Sequence, residues 1–105
     1  MGYRSDVAYV IAGKKEAIIA FLLVCKMDHP EVNLAIDECT IGRLEKGVLF
    51  IGFCASDVKW CPNYEDVKCH DVLWSLAQDQ ETLEGQKCII GEDDNDITND
   101  NFGGW

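Results

Sequence analysis

Bases are scarce in this sequence: nine Lys and Arg stand against nineteen Asp and Glu, for a formal charge of -10. Neutralising phosphates takes clustered Lys and Arg, so the shortage argues against direct nucleic-acid binding and leaves basic surfaces as fitting partners. Long apolar runs are lacking too. The longest apolar helix candidate, 17–25, has nine residues, where a membrane span takes about twenty. No secretory pattern is visible at the start, so the expectation is a cytosolic protein without a membrane segment. The six cysteines then read as reduced thiols rather than a disulfide framework. No CxxC pair, GxSxG elbow, HExxH helix or phosphate-cradling glycine loop occurs. No enzyme activity and no cofactor are therefore expected.

What is present is enough for one core. The chain has 105 residues, 48% of them hydrophobic, which excludes a disordered chain as a whole. Its charge is uneven: residues 1–91 hold fourteen acids and nine bases, whereas 92–105 hold five acids and no base. This pattern divides the chain into a single α/β domain over 1–91 and an acidic C-terminal segment over 92–105.

The stretch 45–54, EKGVLFIGFC, organises the domain. Its branched and aromatic run from Val48 to Phe53 is too short for an ordinary helix and reads as a strand. Residues 36–43 pair with it as a hairpin. Gly47 suits the left-handed position of a type I turn with a bulge, which sets Leu44 against Val48, Ile41 against Ile51 and Cys39 against Phe53. A two-residue turn at Lys46 and Gly47 is the alternative and sets Cys39 against Cys54. In the first register the paired residues, with Leu49, face the helices.

Around the hairpin, 5–12 alternates as a strand with Val7, Tyr9 and Ile11 on one face. Residues 14–27 carry apolar positions at helical spacing, with Ala17, Phe21 and Val24 beside Ile18, Leu22 and Cys25. Pro30 ends that helix. A second helix is read over 64–80, with Cys69, Leu73 and Leu76 as its core row and Glu65 and Asp66 at the positive end of its dipole. A last short strand spans 86–90, and the acidic segment trails from it. The order βαββαβ points to a ferredoxin-like α+β sandwich, a four-stranded antiparallel sheet with two helices on one face and the first and third strands central.

Candidate chemistry lies in three places. Asp94, Asp96, Thr98 and Asp100 alternate as oxygen ligands for a hard cation would, although the glycine and glutamate of a calcium loop are missing. The same acids also suit mimicry of phosphates on a basic groove, or a plain solvated terminus. Cys61, Cys69 and His70 offer zinc ligands at unfavourable spacing, and His70 is within one turn of Asp66 and Trp74. Trp60, Tyr64 and Trp74 bracket the second helix, near Asp57, Glu65 and Asp66. Phe102 and Trp105 sit in the tail. Aromatics rimmed by acids are the kind of surface that anchors protein interfaces. The expected partner-binding residues are thus Glu92, Asp93, Asp94, Asp96 and Asp100 together with Trp60, Tyr64 and Trp105.

The opening GYRSDVAYVI, the segment WCPNYEDV and the segment IGEDDND resemble a set of small uncharacterised proteins of tailed phages and prophages. The motifs span most of the chain in the same order, and none is a catalytic signature. The resemblance implies a bacteriophage or mobile-element origin and the host cytoplasm. By analogy it implies an accessory protein that binds and inhibits a host or anti-phage defence protein. The alternative is a small-molecule or metal-binding module, a ligand sponge, using a cleft beside Trp60 and His70. Antiparallel pairing of the first and last strands further places Arg4 near Glu92 and Asp93.

Overall fold

The computed structural model describes residues 4–60, 64–91 and 97–103. It is an α+β fold in which β1 (Ser5–Lys14) leads into α1 (Lys15–Asp28), a 3-10 turn (Pro30–Val32) and α2 (Asn33–Glu38). Then come β2 (Thr40–Glu45), β3 (Val48–Val58), α3 (Glu65–Gln78), β4 (Leu83–Gly91) and β5 (Ile97–Phe102). The five strands form one antiparallel sheet in the order β2-β3-β1-β4-β5. Among the described residues no helix is long and apolar enough to cross a membrane.

Sheet and helices meet on one face. Tyr9 and Ile11 of β1 and Ile51 of β3 share a core with Ile18, Phe21 and Cys25 of α1 and with Leu73, Trp74 and Ala77 of α3. Val32 of the 3-10 turn and Ala35 of α2 join the same cluster. β1 is the middle strand, which is why its alternation is so clean: Val7, Tyr9 and Ile11 are buried while Asp6 and Ala8 are exposed. The register follows from it, with Tyr9 opposite Phe53 on one side and Lys87 on the other.

The hairpin combines both readings of its turn. Ile41 lies opposite Ile51, as the bulged turn requires, and Gly47 has a φ of 77°. Next to the turn, however, Glu45 rather than Leu44 pairs with Val48, and the register shifts between Arg43 and Glu45. The bulge thus sits one step earlier, and Leu44 is the unpaired residue. The hairpin tip also serves α1, since the Gly47 carbonyl accepts from the Lys15 N–H at 2.9 Å in place of a side-chain cap.

Two features correct the four-strand, two-helix expectation. The chain beyond Pro30 forms a short third helix, whose Ala35 reaches the core. The acidic segment does not simply trail: Ile97–Phe102 pairs with β4 as a fifth strand. The reason is steric. Gly85 pairs with Phe102, and a Cβ at Gly85 would stand only 2.5 Å from that ring, so the glycine opens the slot that buries Phe102. β4 is accordingly longer than the expected 86–90.

Candidate functional site

Five aromatic side chains and one imidazole form a row across the helix-facing side of the sheet. Trp60, just after β3, packs on Phe53 and on His70 of α3, at ring separations of 5.7 and 5.4 Å. Phe53 and His70 are 4.2 Å apart. Tyr9 follows, 5.6 Å from Phe53 and 6.0 Å from Trp74, and Trp74 meets Phe102 edge-on at 4.9 Å. α3 supplies His70 and Trp74 one turn apart, so both point to the sheet.

His70 is only 2% exposed. Its Nδ1 lies 2.6 Å from the Tyr9 hydroxyl, and its Nε2 lies 3.7 Å from Oε1 of Glu38 at the end of α2. Burial drives the Tyr9 phenol well above its ordinary range, with the neighbouring Cys39 thiol adding to it. The hydroxyl therefore stays protonated and hydrogen-bonds Nδ1 of His70, whose Nε2 lies toward the Glu38 carboxylate. Cys39 Sγ is 3.5 Å from the same hydroxyl, and burial pushes its thiol up as well. Such an arrangement orients an imidazole and closes a polar network inside the core. Burial keeps the Tyr9 phenol and the Cys39 thiol protonated, a poor disposition for a nucleophile.

The other end of the row is charged. Lys87 of β4 holds its Nζ 4.6 Å from the Trp74 ring, and the Trp74 indole donates to Asp100 Oδ2 at 3.2 Å. Lys87 and Asp100 are also partners in the β4–β5 register. Burial pulls the Lys87 pKa down, against the opposing pull of Asp71 and Asp100. Asp100 Oδ1 accepts from the Asn101 N–H at 2.9 Å, which fixes the carboxylate on both oxygens.

Of the expected partner-binding residues, Glu92, Asp93, Asp94, Asp96 and Trp105 lie outside the described residues, as does Cys61. Asp100 is exposed on β5, and Tyr64 is 46% exposed just before α3. Trp60 is half-buried. Phe53, on which Trp60 packs, and Asp100 end one row of the sheet: Phe53, Tyr9, Lys87 and Asp100 are successive register partners, three strand spacings or about 14 Å end to end. Among the described residues no group of three or more His, Cys, Asp and Glu is placed to hold a metal ion. His70 finds its described partners on β1 and α2, far along the chain from its own helix.

Arg4 has a described partner that the sequence did not single out. It donates to the Asp57 carbonyl at 2.8 Å and lies 3.8 Å from the Asp57 carboxylate, while the Asp57 N–H donates to Asp6 Oδ1 at 2.9 Å. Asp57 has a φ of 55° at the bulge where β3 slips against Ser5 and Val7. Tyr9 and Lys87 were also passed over as site residues. Lys87 carries a weak signal, the one base in β4. Tyr9 carries none beyond its place on the buried face.

A groove of about 750 Å³ runs between α1 and the end of α3. Ala17, Ala20, Phe21 and Val24 of α1 and Leu76 of α3 line it, with Cys25 at its far end. Burial raises the Cys25 thiol to about 11. No family model matches the chain, and neither a curated protein nor a solved structure matches it.

Proposed function

We propose that this is a non-enzymatic binding protein, a small phage-encoded accessory protein that attaches to a host or anti-phage defence protein and inhibits it. The resemblance of its three sequence motifs to phage proteins supports the origin and the host cytoplasm as its place of action. Its βαββαβ portion is read as a ferredoxin-like unit extended by β5. The strand order β2-β3-β1-β4 in the sheet supports that reading.

The observation that carries the binding role is β5. It stands last in the sheet, and Ile97 to Asn101 are exposed along it. Among the described residues no strand pairs with its outer side, and Asp100 is held in place by the Trp74 indole. An acid on a fixed edge loses less entropy on binding than one on a free tail, and the acids of the sequence from 92 to 100 steer a basic partner from a distance. Lys87, opposite Asp100 in the register, is half-buried over the Trp74 ring. Tyr64 adds an exposed aromatic anchor.

Affinity capture from a bacterial host lysate tests this reading. The bait is the wild-type chain beside a variant with Asp93, Asp94, Asp96 and Asp100 changed to Asn. A protein with a basic surface should come down with the wild type and be lost with the variant. Identical captures from both baits would overturn the reading.

A further inference from the structure

Helix α1 has two apolar faces, and only one of them is used. Ile18, Phe21 and Cys25 enter the core. On the opposite side Ile19, Leu23, Val24 and Met27 are exposed, Leu23 by 56% and Met27 by 79%, with Ala20 exposed among them. Positions 19, 20, 23, 24 and 27 form one stripe at helical spacing. A helix that met only water there would carry polar residues.

We infer that this stripe is the interface of a homodimer, in which α1 packs antiparallel against α1 of a second copy across a two-fold axis. Charge decides both the partner and its direction. Lys14 and Lys15 stand at the start of α1 and Asp28 at its end, the reverse of what the helix dipole favours, although Glu16 and Lys26 are favourably placed. An antiparallel copy resolves the conflict. With the axis passing between Ala20 and Leu23, Ala20 lies against Leu23 of the second copy, and the Ile19 edge of the stripe meets the same edge of that copy. Glu16 then lies diagonal to Lys26 of the second copy. A parallel copy would instead set like charges together.

Two more observations fit the same occupant. The chain carries -10 overall, yet from Lys14 to Asp28 three lysines outnumber two acids, so repulsion between copies is weakest on this face. The groove beside the stripe, kept open by Ala17 and Ala20, also gives the protruding Met27 of the second copy a place to pack. α1 packs on β1 and β3, whereas β5 lies beyond β4. The pairing therefore leaves the acidic edge free and is independent of the proposed partner.

Sedimentation velocity of the full chain, from low micromolar to near-millimolar concentration, tests the inference. The wild type should reach a two-fold dimer. Leu23→Glu, at an exposed site that should not disturb folding, should weaken it by at least about tenfold, as expected when a carboxylate enters an apolar contact. Glu16→Lys and Lys26→Glu should each weaken the dimer, and the double variant should restore it. A wild type that stays monomeric throughout would overturn the inference, as would a dimer indifferent to Leu23→Glu. Binding of the apolar dye anilinonaphthalene sulfonate to a monomer that never pairs would overturn it too, and would assign the stripe to a small amphiphile.

Discussion

Tyr9 joins three parts of the molecule through one hydroxyl: its own strand, His70 on α3, and Cys39 at the end of α2. Removing that hydroxyl takes from the buried Nδ1 of His70 its partner at 2.6 Å. Tyr9→Phe should therefore cost about 1–3 kcal/mol of stability, read from urea unfolding of wild type and variant. Cys25 gives a pH dependence. Its thiol is held at about 11 in the folded chain against 9.0 for an ordinary thiol, so between those two values the native state keeps a proton that the unfolded state has released. Stability from this group is full below pH 9 and declines toward pH 11. Unfolding midpoints measured across that window should fall for the wild type and fall less for Cys25→Ala. Little of this was legible beforehand: the sequence shows Tyr9 on a buried face and His70 on a helix, but their bond joins residues 61 positions apart.

At the scale of elements, the long periodic segments were legible, α1 and α3 among them, and the short or polar ones were not. Alternation marks β1, and the apolar run with Gly47 marks the β2–β3 hairpin, because period and turn chemistry are local properties. α2 escaped because six residues are too few for a periodic signal and Pro30 seemed only to end a helix. β5 escaped for a different reason. Its sequence, ITNDNF, is polar and acidic, and what makes it a strand is the missing side chain at Gly85 on its neighbour. Gly85→Ala should push against the Phe102 ring and loosen β5, at about 1–3 kcal/mol for an overpacked contact. Hydrogen exchange should show protection lost over 97–102 and retained in β1 and β3. Gly47→Ala is the control of a different kind. No atom lies near its Cβ position, so the expected loss of about 1–2 kcal/mol comes from the left-handed backbone alone.

At the scale of the molecule, charge and apolar surface are segregated. Acids gather toward the end of the chain and the β5 edge, the bases of α1 balance its acids, and an uncovered apolar stripe lies on the helix side. The sequence made the acidic asymmetry plain, and the binding role was argued from it. It did not separate the buried face of α1 from the exposed one, because the helix is apolar on both, so Val24 was grouped with core residues although it is half exposed. An acidic edge that recruits a basic partner has an ionic-strength signature, since screening weakens exposed charge pairs beyond about 8 Å at physiological salt. Titration of the captured partner against the wild-type chain and against Asp100→Asn, at low and high salt, is the decisive measurement. Affinity should fall with salt, fall with loss of the Asp100 charge, and stay unchanged for Leu23→Glu. Affinity indifferent to both salt and Asp100 would contradict recognition through the acidic edge.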